Sequence, residues 1–233
     1  MRKNSRNTAA IRPVRVEPDF CPAAEGSVLF GMGETLVICA ASAGDDVPRH
    51  AEARGEGWIT AEYSMLPYST APRTRRELLK KDGRSVEIQR LIGRALRSSV
   101  DCAKLRGVSI TVDCDVLNAD GGTRTASITG GYIALKRAVA SLLEKGVLAE
   151  DPITSAVAAV SLGIVEGELF LDLDYSEDSR ADVDMNMVMD SCFNIIEIQG
   201  TAERQAFSLS RLDDMTALAK KGIAELLEIQ RRY

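Results

Sequence analysis

The sequence predicts an α+β fold in layers, with mixed sheets packed against helices. Three observations point to it. Short alternating stretches come in hairpin pairs, a few long stretches carry a helical period, and the strict strand–helix alternation of a doubly wound parallel sheet is missing. The 233 residues are 45% hydrophobic and 27% charged, enough apolar material for a sizeable core under an ordinary polar surface. That excludes a disordered or fibrous chain. We expect a single domain over residues 1–233, with no linker, low-complexity segment or strong repeat.

Alternation places strands at residues 27–30 and 35–41, joined by Gly31-Met32-Gly33, where glycine supplies positive φ for a hairpin. A third strand covers 58–64. From Ser85 the period becomes helical. Ile88, Leu91, Ile92, Ala95, Leu96 and Ser99 form one stripe, and Arg90, Arg94 and Arg97 form another. Val108, Ile110, Val112, Cys114 and Val116 alternate with Thr111, Asp113 and Asp115, so a strand runs into Asn118-Ala119-Asp120-Gly121-Gly122-Thr123-Arg124. A helix then carries Ile128, Leu135, Val139 and Leu142 up to the stop at Lys145-Gly146. Two hairpins follow, 157–165 with 169–175 around Glu166-Gly167, and 183–189 with 194–198. The last helix is expected from about Ser210, with Ser210 and Asp213 as its cap and third-position acid.

The composition narrows the chemistry. Five cysteines (21, 39, 102, 114 and 192) form no C-x-x-C pair and sit mostly in apolar runs, which predicts buried thiols in a reducing cytoplasm. One histidine and no paired cysteines exclude a zinc finger, and His50 reads as a surface loop residue. No apolar run approaches the about 18 residues of a membrane span, and no secretory leader is evident at the N-terminus.

The formal charge of −5 is unevenly spread. Residues 1–15 hold Arg2, Lys3, Arg6, Arg12 and Arg15 with no acid, and residues 70–106 hold eleven bases against four acids. Residues 151–190 hold ten acids and only Arg180. Local basic patches decide polyanion binding, so an acidic mean does not exclude a nucleic-acid partner; the alternative is that the two regions pair across the fold.

Two constellations carry chemistry. Gly121-Gly122-Thr123-Arg124-Thr125-Ala126-Ser127 lies where a strand turns into a helix. Glycines there permit close backbone approach, first-turn N–H groups lack intrahelical partners, and Arg124 adds charge, which together suit phosphate; the alternative is a tight turn with a capping threonine. It is neither a P-loop nor G-x-G-x-x-G. The second is the acidic run Asp172, Asp174, Asp178, Asp182 and Asp184, whose carboxylates would meet Mg²⁺ or Mn²⁺ or neighbouring arginines if they converge, and a solvated hairpin edge if they do not.

Longer motifs carry a resemblance. Gly57-Trp58-Ile59-Thr60-Ala61-Glu62-Tyr63-Ser64-Met65-Leu66-Pro67, Gly83-Arg84, Glu87-Ile88-Gln89-Arg90-Leu91-Ile92-Gly93-Arg94, Asp113-Cys114-Asp115-Val116, residues 119–130, Glu177-Asp178-Ser179, Val183-Asp184-Met185-Asn186 and Gln199-Gly200-Thr201-Ala202-Glu203 resemble the ribonuclease PH family, in the same order over nearly the whole chain. The resemblance implies the layered β-α-β fold of that family, of the ribosomal-protein domain-2-like kind. It implies a phosphate-dependent 3′-to-5′ exoribonuclease that trims tRNA precursors and other RNAs, releases nucleoside diphosphates, and runs in reverse as a nucleotidyltransferase. It also implies a hexameric ring, a trimer of dimers. Carried over by motif, Arg84, Gly122, Thr123 and Arg124 would hold inorganic phosphate, and Asp178 and Asp184 would be the catalytic or Mg²⁺-binding carboxylates. Arg73, Arg75 and Arg76 are the candidate tRNA-facing patch. Two other readings are a catalytically silent RNA-binding subunit of an exosome-like ring and a phosphate-binding enzyme acting on small nucleotides.

Overall fold

The computed structural model describes residues 2, 5–76 and 82–233. Lys80 and Lys81 of the basic stretch lie outside the described residues. One five-stranded sheet has the order β1-β2-β3-β5-β4, from β1 (Val14–Pro18), β2 (Gly26–Met32), β3 (Thr35–Gly44), β4 (Trp58–Met65) and β5 (Ser109–Asn118). A four-stranded antiparallel sheet follows in the order β7-β6-β8-β9, from β6 (Val157–Val165), β7 (Glu168–Leu171), β8 (Val183–Asp190) and β9 (Ile195–Ala202). A short α1 (Arg49–Glu52) precedes β4, and α2 (Gly83–Arg97) makes the crossover to β5, with which β4 pairs in parallel. The long α3 (Thr123–Glu144), the one-turn α4 (Tyr175–Asp178) and α5 (Leu209–Gln230) complete the chain.

Two strands of the first sheet, β3 and β5, bury one face. In β5, Ile110, Val112, Cys114 and Val116 are buried while Thr111, Asp113 and Asp115 are partly open, and β3 repeats the pattern with Val37, Cys39 and Ala41. Its apolar face receives α2 and α3. Because α3 also packs on β6, it must be apolar almost all round, and Ile128, Ile133, Leu135, Ala138 and Leu142 are all buried. One buried cluster therefore runs from Val28 of β2 to Leu227 of α5. No described helix is long and apolar enough to cross a membrane.

Several expectations shift for identifiable reasons. β1 was not legible, since five residues with Arg15 and Glu17 on one side give a weak period. In the first hairpin only Gly33 has positive φ; Gly31 and Met32 remain in β2. The Glu166-Gly167 turn holds, with φ of 53° and 81°, but β7 stops at Leu171. Asp172 takes a left-handed φ of 54° and turns its carboxylate onto Arg12, which ends the strand four residues before the expected 175. α5 begins at Leu209, because Ser208 and not Ser210 accepts the Arg211 N–H. Of the five thiols only Cys39 and Cys114 are buried, Cys192 being exposed on the turn between β8 and β9. His50 is exposed and meets Trp58 edge-on at 4.7 Å between ring centroids.

The arginine stripe of α2 serves structure in part. Arg97 lies over the Trp58 ring and donates to Ile59 O at 2.7 Å, and Arg94 grips Glu197 of β9. The close contact of α3 with the first sheet depends on Gly130, where a Cβ would come within 2.7 Å of Phe30 and 3.0 Å of the Cys39 sulfur. Gly130→Ala should accordingly lower stability by about 2 kcal/mol. Urea denaturation reads this directly, and an unchanged midpoint would contradict the packing described.

Candidate active site

Between the end of β5 and the start of α3, Gly121 and Gly122 both adopt left-handed backbone, with φ of 74° and 63°. A Cβ on Gly121 would fall 2.5 Å from Leu173 O, so the residue has to be glycine for two reasons at once. Gly122 is the N-cap of α3 and supplies no side-chain cap; the first intrahelical bond runs from Ala126 N to Gly122 O at 3.0 Å. Thr123 is not a capping residue, and its hydroxyl instead meets Tyr63 Oη at 2.8 Å. Thr125 bonds back to Gly122 O at 2.9 Å. The first N–H groups of a 22-residue helix are thus left for an external acceptor.

The turn is held from behind. Arg12, 5% exposed, donates to the carbonyl oxygens of Asp120 and Gly121, and Thr35 Oγ1 donates to Gly121 O at 2.6 Å while accepting from Asp120 N at 3.0 Å. The same guanidinium makes a two-point contact with fully buried Asp172, Nε to Oδ2 at 2.9 Å and Nη2 to Oδ1 at 2.7 Å. Arg6 reaches both Asp172 and Glu177, and Arg2 donates to Glu177 at 2.7 Å. The basic N-terminus and the acidic segment do pair across the fold.

This pairing divides the acidic run, contrary to convergence of all its members. Asp172 is consumed by Arg12 and Arg6, Asp174 caps α4 by accepting from Glu177 N at 3.0 Å, and Asp182 pairs with Arg204. Asp178 at the end of α4 and Asp184 on β8 remain, and both line a cleft of about 700 Å³ together with Arg84, Gly122, Thr123 and Arg124. All six of these sequence-selected residues therefore face one space. Arg84 projects from the first turn of α2, whose N-cap Asp82 accepts from Ser85 N at 2.6 Å. Arg124 is steadied by Gln199 Oε1 at 2.8 Å and by Glu87 at 3.8 Å.

Both carboxylates respond to burial and to the two arginines. Burial pushes Asp178 up from the ordinary carboxylate range, with Arg84 and Arg124 pulling it back. Burial, then Asp178, pushes Asp184 up to about 6 against the same two arginines. Arg73, Arg75 and Arg76 are exposed and are not among the cleft residues; they follow Ser69, Thr70 and Ala71, which line its rim. Sequence reasoning missed Arg12, Thr35 and Tyr63 behind the turn, since nothing in their spacing links them to residues 120–124. Asn186 does line the cleft, as its place on the Asp184 face of β8 allows.

Comparison with known proteins gives the family. Residues 10–140 match the model of the 3′ exoribonuclease family, domain 1, and residues 155–222 match domain 2. Ribonuclease PH of Crocosphaera subtropica is 53% identical over 229 residues, covering 98% of this chain and 95% of the relative. That of Neisseria meningitidis FAM18 is 54% identical over 228 residues, covering 97% and 94%. Rice Rrp46 shares the fold at 18% identity with a TM-score of 0.81, covering 99% of this chain and 98% of that one. A chain of the Archaeoglobus fulgidus exosome with RNA bound to the active site shares it at 23% identity with a TM-score of 0.82, covering 97% and 91%. The chain belongs to the 3′ exoribonuclease family, in its ribonuclease PH branch of phosphorolytic enzymes.

Asp184 also makes a stability prediction. Its folded-state value of about 6 lies above that of an unfolded aspartate, so the folded protein binds the proton more tightly and loses stability as pH rises from about 4 to about 6. Asp184→Asn should be more stable than the parent at pH 8, by on the order of 2 kcal/mol, with the gain fading below pH 6 and gone by about pH 4. Denaturation at both ends of that range tests it, and equal stability at pH 8 would contradict the burial of charge.

Proposed function

We propose that the cleft performs phosphorolysis of RNA 3′ ends, with inorganic phosphate held at the N-terminus of α3 and the terminal phosphodiester placed between it and Asp178 and Asp184. The observation that carries this reading is the uncapped, doubly left-handed Gly121-Gly122 turn facing two carboxylates across a space lined by Arg84 and Arg124. An oxygen of inorganic phosphate attacks the phosphorus of the last diester, the bond to the 3′ oxygen of the preceding nucleotide breaks, and a nucleoside diphosphate leaves. Attacker and target are both anions. At about 4 Å and an effective dielectric of about 20 each unit charge pair repels by roughly 4 kcal/mol, which is why helix N–H groups and two guanidinium groups must share the site.

On the other side, Asp184 is the carboxyl suited to pass a proton to the leaving 3′ oxygen, its ionisation having moved toward neutrality. No described group of three or more His, Cys, Asp or Glu side chains forms a protein-only metal cage. Two carboxylates on one cleft, Asp178 raising Asp184, nevertheless fit Mg²⁺, which commonly takes one or two protein carboxylates and completes its shell with water and substrate phosphate. Asp178 and Asp184 would hold it, and Asp184 would then be a ligand instead of the acid; when bound it supplies positive charge to the phosphoryl oxygens and the leaving group in place of that proton.

The rest of the reading concerns partners. Arg73, Arg75 and Arg76, exposed beyond the rim, would follow the body of a tRNA precursor through its phosphates, without reading sequence. A hexameric ring, a trimer of dimers, would cover strand edges and apolar surface such as Ile195 and Ile198 on β9, which are 50% and 41% exposed. Cysteines without a disulfide suit the cytoplasm. A silent subunit would have no need for Arg84, Arg124, Asp178 and Asp184 to share one cleft.

With a 3′-extended tRNA, cleavage should require phosphate and yield nucleoside diphosphates; monophosphates at an undiminished rate in phosphate-free buffer would refute the reading. Arg84→Ala and Arg124→Ala should each cost about 2 to 4 kcal/mol of transition-state stabilisation, measured as kcat/KM for phosphate. Asp184→Asn should lose turnover while tRNA affinity holds, whereas replacing Arg73, Arg75 and Arg76 by Ala should raise KM for tRNA, flatten its salt dependence and barely change activity on a short oligonucleotide. Equal losses on both substrates by the triple variant would refute this division.

A further inference from the structure

Tyr63 of β4 and Thr123, the first residue of α3, place their hydroxyl oxygens 2.8 Å apart. Either oxygen could donate on distance alone. Burial decides between them. Tyr63 is 1% exposed, and its phenolic oxygen has Thr123 as its one hydrogen-bond partner among the described residues. A neutral phenol always carries a proton, and leaving that proton unpaired in the interior is unfavourable. It therefore goes to Thr123 Oγ1, which accepts, and the Thr123 proton must point elsewhere. Thr123 itself lines the cleft beside Gly122, Arg84 and Arg124.

We infer that Tyr63 is a positioning residue for phosphate: by donating to Thr123 Oγ1 it fixes the threonine hydroxyl as a donor directed into the anion site at the start of α3. The inference rests on the reading of that turn as the phosphate site. Thr125 shows the alternative open to a first-turn threonine, since its hydroxyl is spent on the Gly122 carbonyl at 2.9 Å. The Tyr63 contact occupies Thr123 Oγ1 as an acceptor, and a hydroxyl that already accepts a bond is a stronger donor. Burial pushes the phenol up from its ordinary value and outweighs the Thr123 hydrogen bond and then Arg84 and Arg124, which act in the opposite sense, so Tyr63 keeps its proton at neutral pH.

The test is a double-mutant cycle on the full chain, varying inorganic phosphate at saturating 3′-extended RNA for the parent, Tyr63→Phe, Thr123→Val and the double variant. Tyr63→Phe should raise KM for phosphate roughly three- to tenfold, with kcat and KM for RNA within about twofold of the parent. Thr123→Val should raise KM for phosphate at least as much, and adding Tyr63→Phe to it should change KM no further. Thr123→Ser keeps both the acceptor and the donor, and should recover most of the KM for phosphate lost in Thr123→Val, a recovery that adding Tyr63→Phe should reduce. The inference is overturned if Tyr63→Phe leaves KM for phosphate unchanged, if its effect is the same in the Thr123→Val background, or if Thr123→Ser behaves like Thr123→Val. Phosphate-dependent cleavage with an unchanged KM in Thr123→Val would instead refute the placement of phosphate at this turn, a separate and recognisable outcome.

Discussion

A buried carboxylate governs how this molecule is put together. Asp172 has no exposed surface, and an isolated charge in such a place would be prohibitive. Its oxygens are met by the Arg12 guanidinium at two points, by the Arg12 backbone N–H at 2.6 Å and by Arg6 at 3.3 Å. Neutralising Asp172 leaves Arg12 with donors to spare, and these fall on the Asp120 and Gly121 carbonyls. The guanidinium fork suits this because it is planar and presents several donors in fixed directions, which an ammonium does not. One ion pair thus ties the N-terminal segment, the turn before α3 and the end of β7 into a single cluster.

The site inherits its division of labour from that union. The groups proposed to bind phosphate come from the first half of the chain, on α2 and the start of α3, while the carboxylates come from α4 and β8 in the second. Neither half contains a complete site. Asp184 can sit near neutrality because the sheet that carries it buries it beside Asp178, while Arg84 and Arg124 keep the rise moderate. Gln199 of β9 in turn holds both Arg124 and Glu87, so the far edge of the second sheet helps aim a residue at the other wall of the cleft.

Much of this was legible in the residues. The alternation in β5, the stripe of α2 and the Glu166-Gly167 turn are local patterns, and local patterns report local structure. The pair Asp178 and Asp184, with Arg84 and the Gly122-Thr123-Arg124 turn, could be selected because each lies in a motif with its own chemistry. What escaped was tertiary. Nothing near Asp172 indicates that it would be taken by Arg12, 160 positions away, and so withdrawn from the acidic group and from the strand. Tyr63 reads as a core residue of β4, which it is, and only its distance to Thr123 reveals the second use of its hydroxyl. The cap of α5 moved by two residues because Ser208 and Ser210 offer the same chemistry, and sequence alone does not choose between them.

Arg12, bonded to the Asp120 and Gly121 carbonyls, is placed to hold the turn at residues 120–122 in its anion-receiving shape before phosphate arrives. Calorimetric titration of inorganic phosphate into the parent and into Arg12→Lys tests it most directly, since lysine still balances the charge of Asp172 but cannot span carboxylate and turn carbonyls together. The variant should fold, and its phosphate affinity should fall by about tenfold or more, as expected for the loss of preorganised donors behind a binding loop. Unchanged phosphate affinity in a folded Arg12→Lys would contradict it.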